Sequence, residues 1–161
     1  MIGKISLERA ERMANEIIKR LAPYCSRIQV AGSIRRKKPS PRDIDIVLIP
    51  SDPWNLEHEI LGLARPFKPW VSGEKLKRFN CNGVQVDLYY AEPKTWATLL
   101  LIRTGSKENN IRLCSLAKSK DWHLAASGDG LFDENGQRIA GDTEKSIYGA
   151  LGLPFQPPER R

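Results

Sequence analysis

An α+β fold is what this sequence of 161 residues predicts, and three features predict it. An amphipathic helical pattern opens the chain, short β-like runs with acids among apolar residues follow, and helical patterns return in the second half. The length suits one domain or two small subdomains sharing a core, and a hydrophobic content of 40% suffices to build that core without staples.

Between residues 7 and 21, Leu7, Ala10, Met13, Ala14, Ile17, Ile18 and Leu21 recur at spacings of three and four with charges between them, and Ser6 stands where an N-cap belongs. Two β-like runs, 27–31 and 43–49, flank a basic stretch with Gly and Pro, 32–42. A short helix over 56–64 leads to strands near 67–71, 76–81 and 84–90, with Asn82-Gly83 suited to a tight type I′ hairpin between the last two. The run 96–102 reads as a buried helix that Thr104-Gly105-Ser106 breaks before another helix reaching about residue 118. A small β-rich patch with an Asn135-Gly136 turn follows, then a helix over 143–151 with Gly152 beyond its end, then a proline-rich close.

Twenty-six Lys and Arg against nineteen Asp and Glu give a net charge of +7, the balance of a protein that meets phosphates, although a merely solvated basic surface has the same composition. Cys25, Cys81 and Cys114 are odd in number and far apart, and with only two histidines they predict neither a disulfide framework nor a zinc site. No apolar run approaches the ~20 residues of a membrane span and the first residues lack a signal-peptide core, so a reducing, cytoplasmic setting is expected.

In Asp43-Ile44-Asp45-Ile46 the two acids are two residues apart, so on a strand they share one face while the isoleucines pack behind. Paired carboxylates repel, and a hard divalent cation such as magnesium relieves that repulsion, whereas a solvent-facing strand with ordinary acids would show the same DxD spelling. Upstream, Gly32-Ser33-Ile34-Arg35-Arg36 follows a strand and opens a helical turn whose amides, hydroxyl and guanidinium can cradle a triphosphate. A third acid, Asp87, stands in the apolar run Val84-Gln85-Val86-Asp87-Leu88, where an unpaired carboxylate is costly, so it too calls for a metal.

GSIRR, then DID, then VQVDL resembles the nucleotidyltransferase palm of DNA polymerase family X, the family of DNA polymerase beta, and TWATLLLIRTGSKENNIRLCSLAKSK with the tail DGLFDENGQRIAGDTEKSIYGALGLPFQPPERR is similar to that family's C-terminal nucleotide-binding subdomain. The resemblance covers nearly the whole chain. It implies a palm over 1–92, a mixed sheet with helices on one side, and a small α/β C-terminal, thumb-like subdomain over 93–161 that binds the nascent base pair. It also implies two Mg2+ ions, replaceable by Mn2+, with Asp43 and Asp45 on both and Asp87 on the catalytic ion and activating the primer 3′-hydroxyl. Gly32, Ser33 and Arg36 would hold the β- and γ-phosphates, Gly105 and Ser106 would lie against the sugar, and Asn110 would touch the nascent base pair. Lys4 falls where the family often has an arginine reaching the triphosphate, but an exposed lysine before a helix reads equally well. Lys75 and Lys77 read as solvated strand charges.

Three departures stand out. Ile102 and Arg103 replace the family's aromatic residues before TGS, which weakens the expected exclusion of ribonucleotides, and Arg103 is long enough to leave the pocket for solvent or a phosphate. Cys114 occupies the place of a template-side arginine, for which Arg112 could substitute. Only a few residues precede the palm, so no lyase domain or helix-hairpin-helix region is expected, and DNA would be gripped by basic surface.

The resemblance therefore implies a DNA-directed DNA polymerase, monomeric and with no membrane partner, that takes a dNTP and primer-template or gapped DNA and fills short gaps in repair. Two other readings stay open: a weakly templated or ribonucleotide-accepting transferase, and a non-catalytic DNA-end-binding module.

Overall fold

The computed structural model describes residues 3–161. Ser6 caps helix α1 (Leu7–Leu21), its side chain accepting a hydrogen bond from the Arg9 amide at 3.2 Å, and the helix buries Ala10, Ala14, Ile17 and Leu21 along one stripe. That stripe lies on a five-stranded sheet built from β1 (Cys25–Val30), β2 (Asp43–Pro50), β3 (Val71–Ser72), β4 (Leu76–Cys81) and β5 (Val84–Tyr90) in the order β1-β2-β5-β4-β3. Only the β2–β5 pairing is parallel, so the sheet is mixed. Between β1 and β2 lies the single turn α2 (Gly32–Arg35), and α3 (Pro53–Leu63) follows β2.

Alternation along β2 and β5 sorts the two faces. Ile44, Ile46 and Leu48 join Val84, Val86 and Leu88 in a core with α1 and the Leu56, Ile60 and Leu63 stripe of α3. Each fully buried aliphatic there contributes roughly 1.5–3 kcal/mol relative to exposure. On the opposite face Val47, Ile49 and Tyr89 pack under Trp96, Ala97, Leu99 and Leu100 of α4 (Trp96–Thr104). This helix covers only the apolar end of that face.

Beyond α4 come α5 (Lys107–Ser119), a three-stranded antiparallel sheet of β6 (His123–Ala125), β7 (Gly130–Phe132) and β8 (Arg138–Ala140), and α6 (Glu144–Ala150). Leu101 and Ile102 of α4 enter a separate core there with Leu113, Ala117, Leu131, Ile147 and Tyr148. Helix α4 thus belongs to two cores. Asn82 (φ 51°) and Gly83 (φ 83°) make the expected hairpin.

Two expectations need correction. The strand near 67–71 shrinks to Val71–Ser72, because Pro66 and Pro69 offer no amide donor to a ladder. Lys77 is not a solvated charge: its Nζ lies 2.8 Å from Glu57 and 2.8 Å from Ser72, and its side chain is only 12% exposed. Among the described residues no helix is long and apolar enough to cross a membrane, and all three cysteines are free.

Candidate active site

Asp43 and Asp45 occupy the face of β2 that carries Val47 and Ile49, just beyond the end that α4 covers. The parallel register sets Asp45 opposite Asp87 and Asp43 opposite Gln85. The three acids therefore sit on neighbouring strands at the end of the sheet that α4 leaves uncovered, Asp43 and Asp45 half-buried and Asp87 buried. Asp87 is 4% exposed and held by Arg78, whose Nε and Nη2 donate to its two oxygens at 2.7 and 3.2 Å; Gln85 and the Tyr89 hydroxyl donate at 3.3 and 3.4 Å.

Crowding of like charge shows in the proton affinities. Burial first, then the neighbouring Asp87 and Asp43 carboxylates, pushes Asp45 up to about 7, against the opposing pull of Arg103 and a hydrogen bond from Tyr89. Asp43 is raised as well, by burial and then by Asp87, with Arg78 and Arg42 opposing. Burial pushes the Tyr89 phenol up to about 12, so it remains a donor.

A carboxylate that favours protonation because it is buried and has acids beside it is one that a divalent cation would relieve, and an all-oxygen donor set suits magnesium or manganese. In this respect Asp43, Asp45 and Asp87 fit the metal expected from the sequence. Among the described residues, however, no three acidic, His or Cys side chains converge into a ready-made cage. Asp87 is turned to Arg78 instead.

Above the acids lies a cleft of about 630 Å3, walled on one side by the turn at Gly32, Ser33 and Arg36 and on the other by the segment 102–107 with Asn110 and Ile111. Gly32 has φ +61°, and a Cβ there would lie 2.2 Å from Asp45 Oδ2, so glycine is required both for the turn and for the approach of the carboxylate. Arg36 Nε is buried without a partner, a guanidinium edge awaiting an acceptor. Gly105 (φ +72°) closes the facing wall, and Ser106 caps α5, accepting from the Asn109 amide at 3.2 Å. Asn110 donates to the Ile102 carbonyl at 2.8 Å and leaves its own Oδ1 buried and unpaired.

Eight of the eleven residues picked from sequence, Gly32, Ser33, Arg36, Asp43, Asp45, Gly105, Ser106 and Asn110, line this one cleft. Asp87 lies beneath it, beside Asp45. Lys4 is exposed and outside the lining, although Ile5 and Leu7 hydrogen-bond to Pro41 and Pro39 of the adjoining loop. Arg112 faces a different depression, shared with Arg160 and Arg161. Lys38, Arg42, Tyr89 and Lys107 also line the cleft and were missed as individuals. The basic composition of 36–42 was the available signal.

Arg103 is exposed, and its guanidinium lies over the Tyr89 ring, 4.3 Å from the centroid, where it acts on Asp45. Ile102 is buried in the C-terminal core, and Cys114 is half-buried against the same core.

A polar bridge that local sequence pattern does not reveal braces the turn. Arg35 Nη1 donates to Thr104 at 2.8 Å and to Glu144 at 2.6 Å, and Glu144 also accepts from Arg161 Nη2 at 2.7 Å. The Arg161 side chain is fully buried, beside the Tyr148 and Phe155 rings. The bridge joins the Gly32–Arg35 turn to the end of α4 and the start of α6.

Comparison with known proteins agrees with this layout. The family model described as DNA polymerase beta thumb matches residues 99–161. Over 158 residues the chain is 28% identical to the DNA polymerase/3′-5′ exonuclease PolX of Bacillus subtilis (strain 168), covering 94% of this chain and 27% of that relative's length. Its fold is similar to the crystal structure of Leishmania infantum polymerase beta in a ternary P/T complex, with a TM-score of 0.80 and 21% identity over 98% of this chain and 76% of that one. The thumb match, the PolX relative and the shared polymerase beta fold support a family X polymerase-like protein.

Proposed function

We propose that the chain adds deoxynucleotides to a primer 3′-hydroxyl under the direction of a template, filling short gaps during DNA repair in the cytoplasm, as a monomer. The observation that carries the reading is the parallel register that seats Asp45 beside Asp87 beneath the Gly32–Arg36 turn. Residues 1–92 supply the acids and the phosphate turn; residues 93–161 supply the wall for sugar and base.

In this reading the Gly32 and Ser33 amides and the Arg36 guanidinium bind the β- and γ-phosphates. Gly105 presents bare backbone to the sugar, and Asn110, fixed through the Ile102 carbonyl, offers its free Oδ1 to the nascent pair. Ser106 contributes chiefly through its backbone, its hydroxyl being engaged in the cap. Arg78 and Gln85 bind the Asp87 carboxylate beside Asp45; released toward the cleft, Asp87 would orient the 3′-hydroxyl and take its proton. Asp43, Asp45 and Asp87 would hold two Mg2+ ions, or Mn2+, which supply activation of the hydroxyl and neutralisation of the departing pyrophosphate. Lys38, Arg42 and Lys107 add positive charge along the cleft, so DNA affinity should fall steeply with salt.

Asp87→Asn should leave nucleotide binding intact and reduce extension of a gapped substrate by orders of magnitude. Near-parental extension by that variant would refute the two-metal assignment, and a parent inactive on gapped, recessed and single-stranded substrates would favour a DNA-end-binding module.

A specific observation favours the weakly templated variant of this activity. Cys114 packs on the apolar core and Arg112 faces away from the main cleft, which leaves no guanidinium from either position beside Asn110. Comparable incorporation of matched and mismatched nucleotides would support it.

A further inference from the structure

The segment between α3 and β4 is absorbed by neither the cleft nor the core. It reads Arg65-Pro66-Phe67-Lys68-Pro69-Trp70, and it leaves Phe67 79% and Trp70 55% exposed. Two aromatics this open on so small a molecule call for a partner. The segment is nonetheless fixed in place: the Arg65 amide donates to the Asn80 carbonyl at 2.9 Å, and the Trp70 amide to the Arg78 carbonyl at 3.1 Å. It therefore runs along the outer edge of β4, and with the Asn82–Gly83 hairpin it encloses a groove of about 610 Å3.

The groove's chemistry names its occupant. Arg65 and Lys68 flank the aromatics, both exposed and in no ion pair among the described residues, whereas acids are absent from the lining. Cationic side chains interleaved with open aromatic faces, on a chain of net charge +7, complement a phosphate backbone carrying bases. An apolar protein partner would not need the flanking charges. Asn80 and Asn82 add amide groups to the lining. The groove also lies in line with the acids, because Arg78 holds Asp87 and Asn82 sits four positions further along the chain, roughly 13 Å at the rise of a strand.

We propose that Phe67 and Trp70 form a stacking platform for unpaired bases of a single DNA strand, with Arg65 and Lys68 on its phosphates. That the strand runs on toward Asp87 rests on the proposed polymerase reading; the platform itself does not.

The test is a fluorescence-anisotropy titration of labelled (dT)12 and of an abasic 12-mer with the same backbone, in EDTA and without nucleotide. The parent should bind (dT)12 roughly tenfold or more tightly than the abasic strand, as one stacked base at ~1–3 kcal/mol implies. In a Phe67→Ala, Trp70→Ala variant the two strands should bind alike. Trp70→Tyr should keep the preference, and Trp54→Ala, which removes an 85% exposed aromatic on α3, should not alter it. Equal binding of the two strands by the parent would overturn the platform. So would an unchanged preference in the double alanine variant, or a parent self-association on sedimentation that this variant abolishes, since a second copy would then be the occupant. Neither metal nor nucleotide is present, so a chain inactive in primer extension returns the same answer, and the two readings fail separately.

Discussion

Replacing Gly32 by alanine should damage the site from within. At φ +61° a side chain costs about 1–2 kcal/mol of backbone strain. The new Cβ would stand 2.2 Å from Asp45 Oδ2, 2.9 Å from its Cγ and 3.1 Å from its Cβ, so the carboxylate or the turn must yield. Relieving such a contact takes a displacement on the order of 1 Å, at an overpacking cost of about 1–3 kcal/mol. The sum, reduced by the few tenths that alanine gains by stiffening the unfolded chain, is a destabilisation of about 1.5–4.5 kcal/mol. If Asp45 acts as proposed, a displacement of about 1 Å in its carboxylate costs about 100-fold in rate. Gly105→Ala isolates the strain from the clash: its φ is +72°, yet the nearest atoms to a Cβ are Lys107 N at 3.5 Å and Arg36 Nε at 3.8 Å. Urea denaturation of both variants, with Mn2+ titrations followed by thermal shift and single-nucleotide extension, separates the contributions. Gly32→Ala should lose more stability, metal affinity and activity than Gly105→Ala. If the two are equally destabilised and Gly32→Ala extends primers at the parental rate, Asp45 has not been displaced and the reasoning is wrong.

Glu144→Gln should leave Arg35 and Arg161 facing each other with no anion between them, and lose about 3–5 kcal/mol in urea, as when one member of a buried charge network is removed; a loss under about 1 kcal/mol would mean that water already serves the two guanidiniums. Asp45, at about 7 in the fold against 3.8 as its ordinary value, makes the metal-free fold bind protons that the unfolded chain does not, so its contribution is fully present below about pH 3.8 and is lost as pH rises toward 7. In EDTA the melting temperature should fall between pH 5 and pH 8 by more in the parent than in Asp45→Asn, Mn2+ should restore it at pH 8, and parallel profiles for the two proteins would refute the assignment. An Ile102→Tyr, Arg103→Phe variant should reject rNTPs more strongly than the parent, read as the ratio of kcat/KM for matched dNTP and rNTP on one gapped DNA, because a ring there can pack beneath the sugar where the Ile102 side chain is buried in the core; equal ratios would make the departure silent. Removing Arg103 also takes a cation from Asp45, so the pH at which Mn2+ stabilises the variant should shift upward.

Local signals carried the elements well where one force dominated. Helix α1 spans the predicted 7–21 because a capping serine and an unbroken apolar stripe agree, and the DxD acids share a face because a strand has a period of two. Signals failed where a partner distant in sequence decides. Lys77 reads as a solvated charge until Glu57 of α3 is brought to it, and Arg103 reads as free until Tyr89 offers its ring. Arg35 and Glu144 are separated by 109 positions, so no periodicity or spacing could couple them. The apparent strand at 67–71 misled for the opposite reason: its composition is β-like, but two prolines deny it a ladder.

The β2–β5 register has a consequence for how changes elsewhere will be felt. No tight turn joins these two parallel strands; their alignment is held by the interlocking of Ile44, Ile46 and Leu48 with Val86 and Leu88 on the face away from the acids. The core is in effect a ruler laid along the back of the site, and sliding one strand by a single residue would carry a carboxylate into oil and an aliphatic side chain into the cleft. If the proposed activity holds, trimming a methyl group there need not unfold the protein to silence it, because slippage between the strands changes how Asp45 stands to Asp87. Mutations in this buried layer should therefore register in turnover before they register in melting temperature.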